Sequence, residues 1–170
     1  MRHLRRDSGF TLIELLIVVA IIFMVTALAI PRLFSARNKA NEASAIASIK
    51  AIQAAESVYQ NTYPDKGYSP TLVNLGSNGS TCETTSSTNA CILDQALSSG
   101  FKSGYLFDLV GDGQTPDQTY TIKATPQSSS AGECSFIADQ TGGISYYNPP
   151  PKGVTGSATP GGSGCTGAVN

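Results

Sequence analysis

Apolar residues fill 17 of the 19 positions from 12 to 30, broken only by Glu14 and Thr26. At ~1.5 Å rise per residue, a helix of that length crosses the ~30 Å hydrocarbon layer of a bilayer. Beyond Pro31 the pattern changes from continuous to spaced. Ala45, Ile49, Ile52, Ala55 and Tyr59 recur at steps of three and four, with neither Gly nor Pro between residues 32 and 60. That spacing predicts an amphipathic helix with one buried stripe, and it assigns Lys50, Gln53 and Glu56 to other faces. The two patterns join into one helix of roughly 50 residues: a membrane and assembly part over 10–31 and an amphipathic continuation over 32–60. Pro31 either kinks it, with flexibility around 27–31, or ends one helix and opens the next.

After residue 60 the hydrophobic period shortens from helical to alternating. Asn61, Pro64, Gly67, Pro70, Gly76 and Gly79 punctuate a connecting region over 61–102, within which a short helix is predicted at 92–98, ending near Gly100. Four short segments rich in aromatic or branched residues follow, at 104–110, 118–125, 134–138 and 143–147. They read as strands of an antiparallel sheet occupying 103–147, whose one apolar face rests on the helix stripe. The fold class is therefore α+β, a long N-terminal helix packed on a C-terminal antiparallel sheet of about four strands. A Pro- and Gly-rich tail covers 148–170.

Composition narrows what such a chain does. Eleven Lys and Arg against twelve Asp and Glu give a net charge of −1, so no basic field exists to hold nucleic acid directly. The one histidine, His3, precedes the apolar run, and no Gly-x-Ser-x-Gly occurs. Enzyme function is not expected, nor is any cofactor. Arg2, Arg5 and Arg6 before the span balance Arg32, Arg37 and Lys39 after it, which leaves orientation undecided by charge. Cys82, Cys91, Cys134 and Cys165 all follow the span, which suits an oxidising compartment for the bulk of the chain and a cytoplasmic residues 1–9. Short loops close most easily, so the expected pairs are Cys82 with Cys91 and Cys134 with Cys165, the second tethering the tail. A four-cysteine zinc site is the competing arrangement.

Three readings of the apolar segment remain. A cleaved secretory signal has Ala27-Leu28-Ala29 as its small-x-small site, and a plain single-pass anchor of an extracytoplasmic binding domain is the second. Both leave Glu14 unexplained, since an intramembrane carboxylate costs roughly 2.5–3.5 kcal/mol and calls for a partner. The third rests on the residues themselves. Gly9-Phe10-Thr11-Leu12-Ile13-Glu14, the apolar residues 15–22 and the closing Ala29-Ile30-Pro31 resemble the N-terminal signature of type IV pilins and type II secretion pseudopilins.

That resemblance implies a leader over residues 1–9, cleavage between Gly9 and Phe10 by a prepilin peptidase, N-methylation of Phe10, and pairing of Glu14 with the amino terminus of a neighbouring subunit. Phe10, Glu14 and Pro31 are the implied assembly residues. The implied partners are further copies of the chain in a helical filament, minor pilins, an inner-membrane platform protein with its assembly ATPase, and lipid before assembly. The precursor would sit in the inner membrane, and the filament on the cell surface or, for a pseudopilus, in the periplasm. Phe23 and Thr26 depart from the glycine and alanine common in the family at this depth. Some pseudopilins carry calcium in the sheet region, which makes Asp108, Asp112 and Asp117, around the turn 111–116, candidate oxygen ligands, with a plain acidic turn as the alternative. Phe10, Phe23, Phe34, Tyr59 and Tyr63 read as packing residues, and Asn78-Gly79-Ser80 matches a glycosylation sequon.

Overall fold

The computed structural model describes residues 10–77, 82–147 and 168–169. The chain divides into two compact units between Ala36 and Arg37. Helix α1, Leu12–Thr62, starts in the first and ends in the second, and Pro31 lies inside it. Pro31 therefore does not end the helix. Missing one backbone hydrogen bond at proline is affordable where the flanking turns are good helix formers, as Ala27, Leu28, Ala29 and Leu33 are. In the first unit every large apolar side chain from Phe10 to Phe34 is exposed, from 41% at Val19 to 84% at Phe10. This stretch is long and apolar enough to cross a membrane. The polar atom in its middle is satisfied locally, because the Thr26 hydroxyl donates to the carbonyls of Ile22 (2.9 Å) and Phe23 (3.1 Å).

The second unit is built on the spaced stripe. Ala45, Ile49, Ile52, Ala55 and Tyr59 are all buried, as their period requires, in one cluster with inward-facing residues of the sheet. The sheet is an antiparallel meander of six strands in sequence order: β1 Phe101–Lys102, β2 Tyr105–Gly111, β3 Tyr120–Pro126, β4 Ser135–Asp139, β5 Ile144–Tyr147 and β6 Ala168–Val169. Alternation chooses the face that packs. Tyr105, Phe107 and Leu109 of β2 and Tyr120, Ile122 and Ala124 of β3 point inward, while Leu106, Asp108 and Val110 stay exposed.

The four expected strands are β2 to β5, each displaced by one or two residues. The sheet is wider than expected because two-residue strands flank it, too short to leave a periodic trace. One of them, β6, comes from the tail and pairs Val169 with Ile144. The expected helix at 92–98 shrinks to α3, Gln95–Ser98. Its first residues are diverted because the Ile92 and Leu93 amides both bond the Leu75 carbonyl, at 2.8 and 2.9 Å. Asp94 then caps α3 through the Leu97 amide. Leu75 itself ends α2, Leu72–Leu75, a single turn whose Leu72 and Leu75 are buried in the core. The Cys82–Cys91 disulfide forms as expected, with Cα atoms 5.9 Å apart. Cys165 lies outside the described residues, as does the sequon, and no described cysteine is a free thiol.

Ile52 is wholly buried and Lys50 is exposed. Truncating Ile52 to Ala removes transfer energy and leaves a void, for which about 2–5 kcal/mol is the usual loss. Chemical denaturation of the full chain in detergent is expected to show that loss for Ile52→Ala. For Lys50→Ala it is expected to show a change within about 0.5 kcal/mol.

Candidate functional site

Two carboxylates stand out, one in each unit. The first is Glu14. The sequence Thr11-Leu12-Ile13-Glu14 has the Thr-x-x-Glu form of a capping box, and the structure forms the half of it that the Thr11 side chain supplies. The Glu14 amide donates to the Thr11 hydroxyl oxygen at 3.3 Å, and that hydroxyl donates to Glu14 Oε2 at 3.5 Å. Thr11 thereby fixes where α1 begins, and it sets the Glu14 side chain beside the positive end of the helix. This local role was readable in the sequence but is overshadowed there by the question of a partner. Glu14 is exposed, and the one salt bridge among the described residues joins Lys102 to Asp94, so Glu14 meets no cation among them. Phe10 is four residues upstream, and Gly9 with the arginines before it lies outside the described residues.

The second carboxylate is Glu56, and here the structure corrects the sequence reading. Glu56 is not on an outer face of the helix; it is 0% exposed. Its position explains this, since 45, 49, 52, 56 and 59 also recur at steps of four and three, which puts residue 56 on the stripe beside Ala55. Glu56 Oε2 accepts the Ser69 amide at 2.8 Å, and Oε1 has no partner. Burial pushes its pKa up to about 8, against the pull of the Ser69 amide and with a further push from Asp117. Tyr120 is raised to about 12 by burial first and by Glu56 second.

Two of the three candidate aspartates, Asp112 and Asp117, are in contact, and each of the three has its own role. Asp112 is a turn staple: Oδ1 accepts the Gln114 amide (2.9 Å) and Oδ2 the amides of Gln118 (3.0 Å) and Thr119 (3.1 Å). Those bonds, the one from Gln114 foremost, hold its pKa down to about 2. Asp117 is buried, accepts the Gly113 amide at 2.9 Å, and has its pKa raised by burial and by its contact with Asp112. Asp108 stands exposed on β2 opposite Lys123. Among the described residues no group of three His, Cys, Asp or Glu side chains is gathered to hold a metal ion. The zinc arrangement is also set aside, since Cys82 and Cys91 are bonded to each other.

Comparison with known proteins bears on the segment that holds the first carboxylate. Residues 4–30 match the model of the prokaryotic N-terminal methylation motif. The N-terminal segment carries that motif. Glu14 and the capping Thr11 both fall within it, as does most of the uncovered apolar run. The chain is similar to the type II secretion system core protein G of Aeromonas hydrophila, with 36% identity over 63 residues, 35% of this chain and 44% of the relative. It is also similar to the type IV wide pilus major component PilA4 of Thermus thermophilus, with 40% identity over 76 residues, 43% of this chain and 56% of the relative. The core protein G of Pseudomonas aeruginosa is 43% identical over 56 residues, 33% of this chain and 39% of the relative. The chain spans about half the length of the curated relatives it matches. No solved structure matches it.

Replacing Thr11 by Val keeps the shape and removes the acceptor for the Glu14 amide. Loss of an N-cap typically costs about 0.5–2 kcal/mol. Hydrogen exchange in micelles is expected to speed up at residues 13–15 in Thr11→Val and to stay unchanged at Ile122.

Proposed function

We propose that the chain is a structural subunit of a type IV pilus-like filament. A prepilin peptidase would cut it between Gly9 and Phe10 and methylate the new terminus at Phe10. The observation that carries this reading is the exposure of every large apolar side chain from Phe10 to Phe34, with a single acid, Glu14, that meets no cation among the described residues. Before assembly lipid covers that surface. In a filament, the matching helices of other copies do.

Cleavage after Gly9 would create an α-ammonium four residues, about one helical turn, before Glu14. Each charge is costly alone in hydrocarbon, and breaking a buried ion pair costs on the order of 3–5 kcal/mol. A neighbouring subunit that supplies the missing charge is therefore favoured over lipid, and the pairing gives assembly a direction. Pro31, inside the helix, is the assembly residue that leaves one carbonyl without its usual donor and lets the helix bend in a crowded bundle. The precursor would be anchored in the inner membrane with its leader in the cytoplasm, and an assembly ATPase and platform protein would extract it into the filament.

A second reading is favoured by the similarity to core protein G of type II secretion systems. In that case the same subunit chemistry builds a short periplasmic pseudopilus, and isolation of filaments from the cell surface separates the two. A membrane-anchored binding domain that never assembles is the reading that Glu14 opposes. Mass spectrometry of the mature protein is expected to find a methylated Phe10 as residue one. Glu14→Gln is expected to leave the chain in the membrane and to cut its recovery in filaments at least about tenfold, the factor that 1.4 kcal/mol represents. An amino terminus at Met1 or Ile30, or undiminished assembly of the variant, contradicts the proposal.

A further inference from the structure

Glu56 has no part in anchoring or in the charge pairing at the amino terminus, yet a wholly buried glutamate requires a reason. We propose that Glu56 is held as the neutral acid and acts as a proton-linked latch, clasping the 63–71 segment and the 112–119 turn onto helix α1. The latch belongs to the folded second unit and operates with or without assembly.

The groups around Glu56 make the case. From α1 itself comes Tyr59, whose hydroxyl is already committed to the Ser87 carbonyl at 2.7 Å. From the segment after the helix come the Ser69 amide, which Glu56 Oε2 accepts, and Tyr63 and Tyr68, whose rings pack on Tyr59 and Tyr120 at 5.0 and 4.8 Å. From β3 comes Tyr120, which also feels Asp139 of β4, and from the turn comes Asp117. These groups are phenols, carboxyls and one amide. Lys66 is exposed at the rim of a cleft of about 360 Å³ that Asp117 also lines. A carboxylate at Glu56 would leave Oε1 charged, dry and unpartnered beside a second carboxyl, whereas the acid leaves only a neutral hydroxyl there.

The segment and the turn are fastened to one another as well as to the helix. The Tyr68 amide donates to the Asp117 carbonyl at 3.1 Å, and the Asp117 amide donates to the Lys66 carbonyl at 2.8 Å. This close approach has glycine at its centre. Gly67 has φ +75°, and a Cβ there would overlap the Asp117 carbonyl oxygen. The Ser69 hydroxyl completes the clasp by donating to the Thr71 carbonyl at 2.9 Å. A charge on Glu56 can reach water either by opening the packing of α1 on the sheet or by lifting these loops. Loops open at the lower free energy.

The sign of the pH effect follows from the raised pKa. The clasped state holds its proton up to about pH 8, while a solvated glutamate loses it near the ordinary value of ~4.3. Clasping is therefore fully favoured below that ordinary value. It weakens as pH rises, by about tenfold per unit, and levels off above about pH 8. The full chain in detergent micelles is the sample for the test. Exchange of the Ser69 amide, normalised to its intrinsic rate, is expected to lose protection by about tenfold per unit from pH 5 to about pH 8 in the wild type and to stay flat in Glu56→Gln. The Ile122 amide serves as control. Identical pH profiles in the two proteins overturn the latch. Should Glu56→Gln fail to fold, the wild-type Glu56 Cδ resonance decides alone: a midpoint above pH 7 supports the proposal, and a midpoint near 4–5 defeats it.

Discussion

A single helix has to find two different covers, and the rest of the structure follows from that constraint. Over its second half the apolar residues form a stripe one or two side chains wide, and the chain itself supplies the cover as a sheet. Over its first half the apolar residues occupy every face, and the described residues cover none of them. A surface of this kind is stable only in lipid or against other helices. In the proposed filament Glu14 makes the second option a specific one, because a lone carboxylate in hydrocarbon distinguishes between a lipid chain and a helix bringing an ammonium group.

The two buried or membrane-depth acids solve the same problem in different ways. Glu56 is out of water within its own chain and finds one amide, from Ser69, and burial raises its pKa against the pull of that amide. Glu14 meets the capping hydroxyl of Thr11, and in the proposed filament its charged partner arrives from another copy of the chain. In the proposed reading, one acid couples the stability of a loop to protonation, and the other couples membrane insertion to assembly.

How much of this was legible in the sequence depends on the length of the signal. The continuous apolar run, the stripe ending at Tyr59 and the four longer strands each repeat a period several times, and each was placed within one or two residues. The two-residue strands Phe101–Lys102 and Ala168–Val169 and the one-turn helix Leu72–Leu75 contain less than one or two periods, so they leave no pattern. Glu56 was misplaced for a different reason. A polar residue on a helix stripe is ordinarily read as marking its edge, and only the Ser69 amide from a separate segment makes its burial tolerable. The three aspartates were legible either as oxygen ligands or as a plain acidic turn: Asp112 spends its oxygens on turn amides, Asp117 faces inward, and Asp108 lies across from Lys123.

The origin of the charge that Glu14 meets in the proposed filament is open to direct measurement. Filaments grown from an equal mixture of chains labelled only with 15N and chains labelled only with 13C carry the answer, because any nitrogen–carbon contact in them must join two molecules. Solid-state NMR of such filaments is predicted to show a cross-peak between the N-terminal nitrogen of Phe10 and the Glu14 carboxyl carbon. A cross-peak seen only in filaments whose chains carry both labels would place the pair within one subunit and contradict the account.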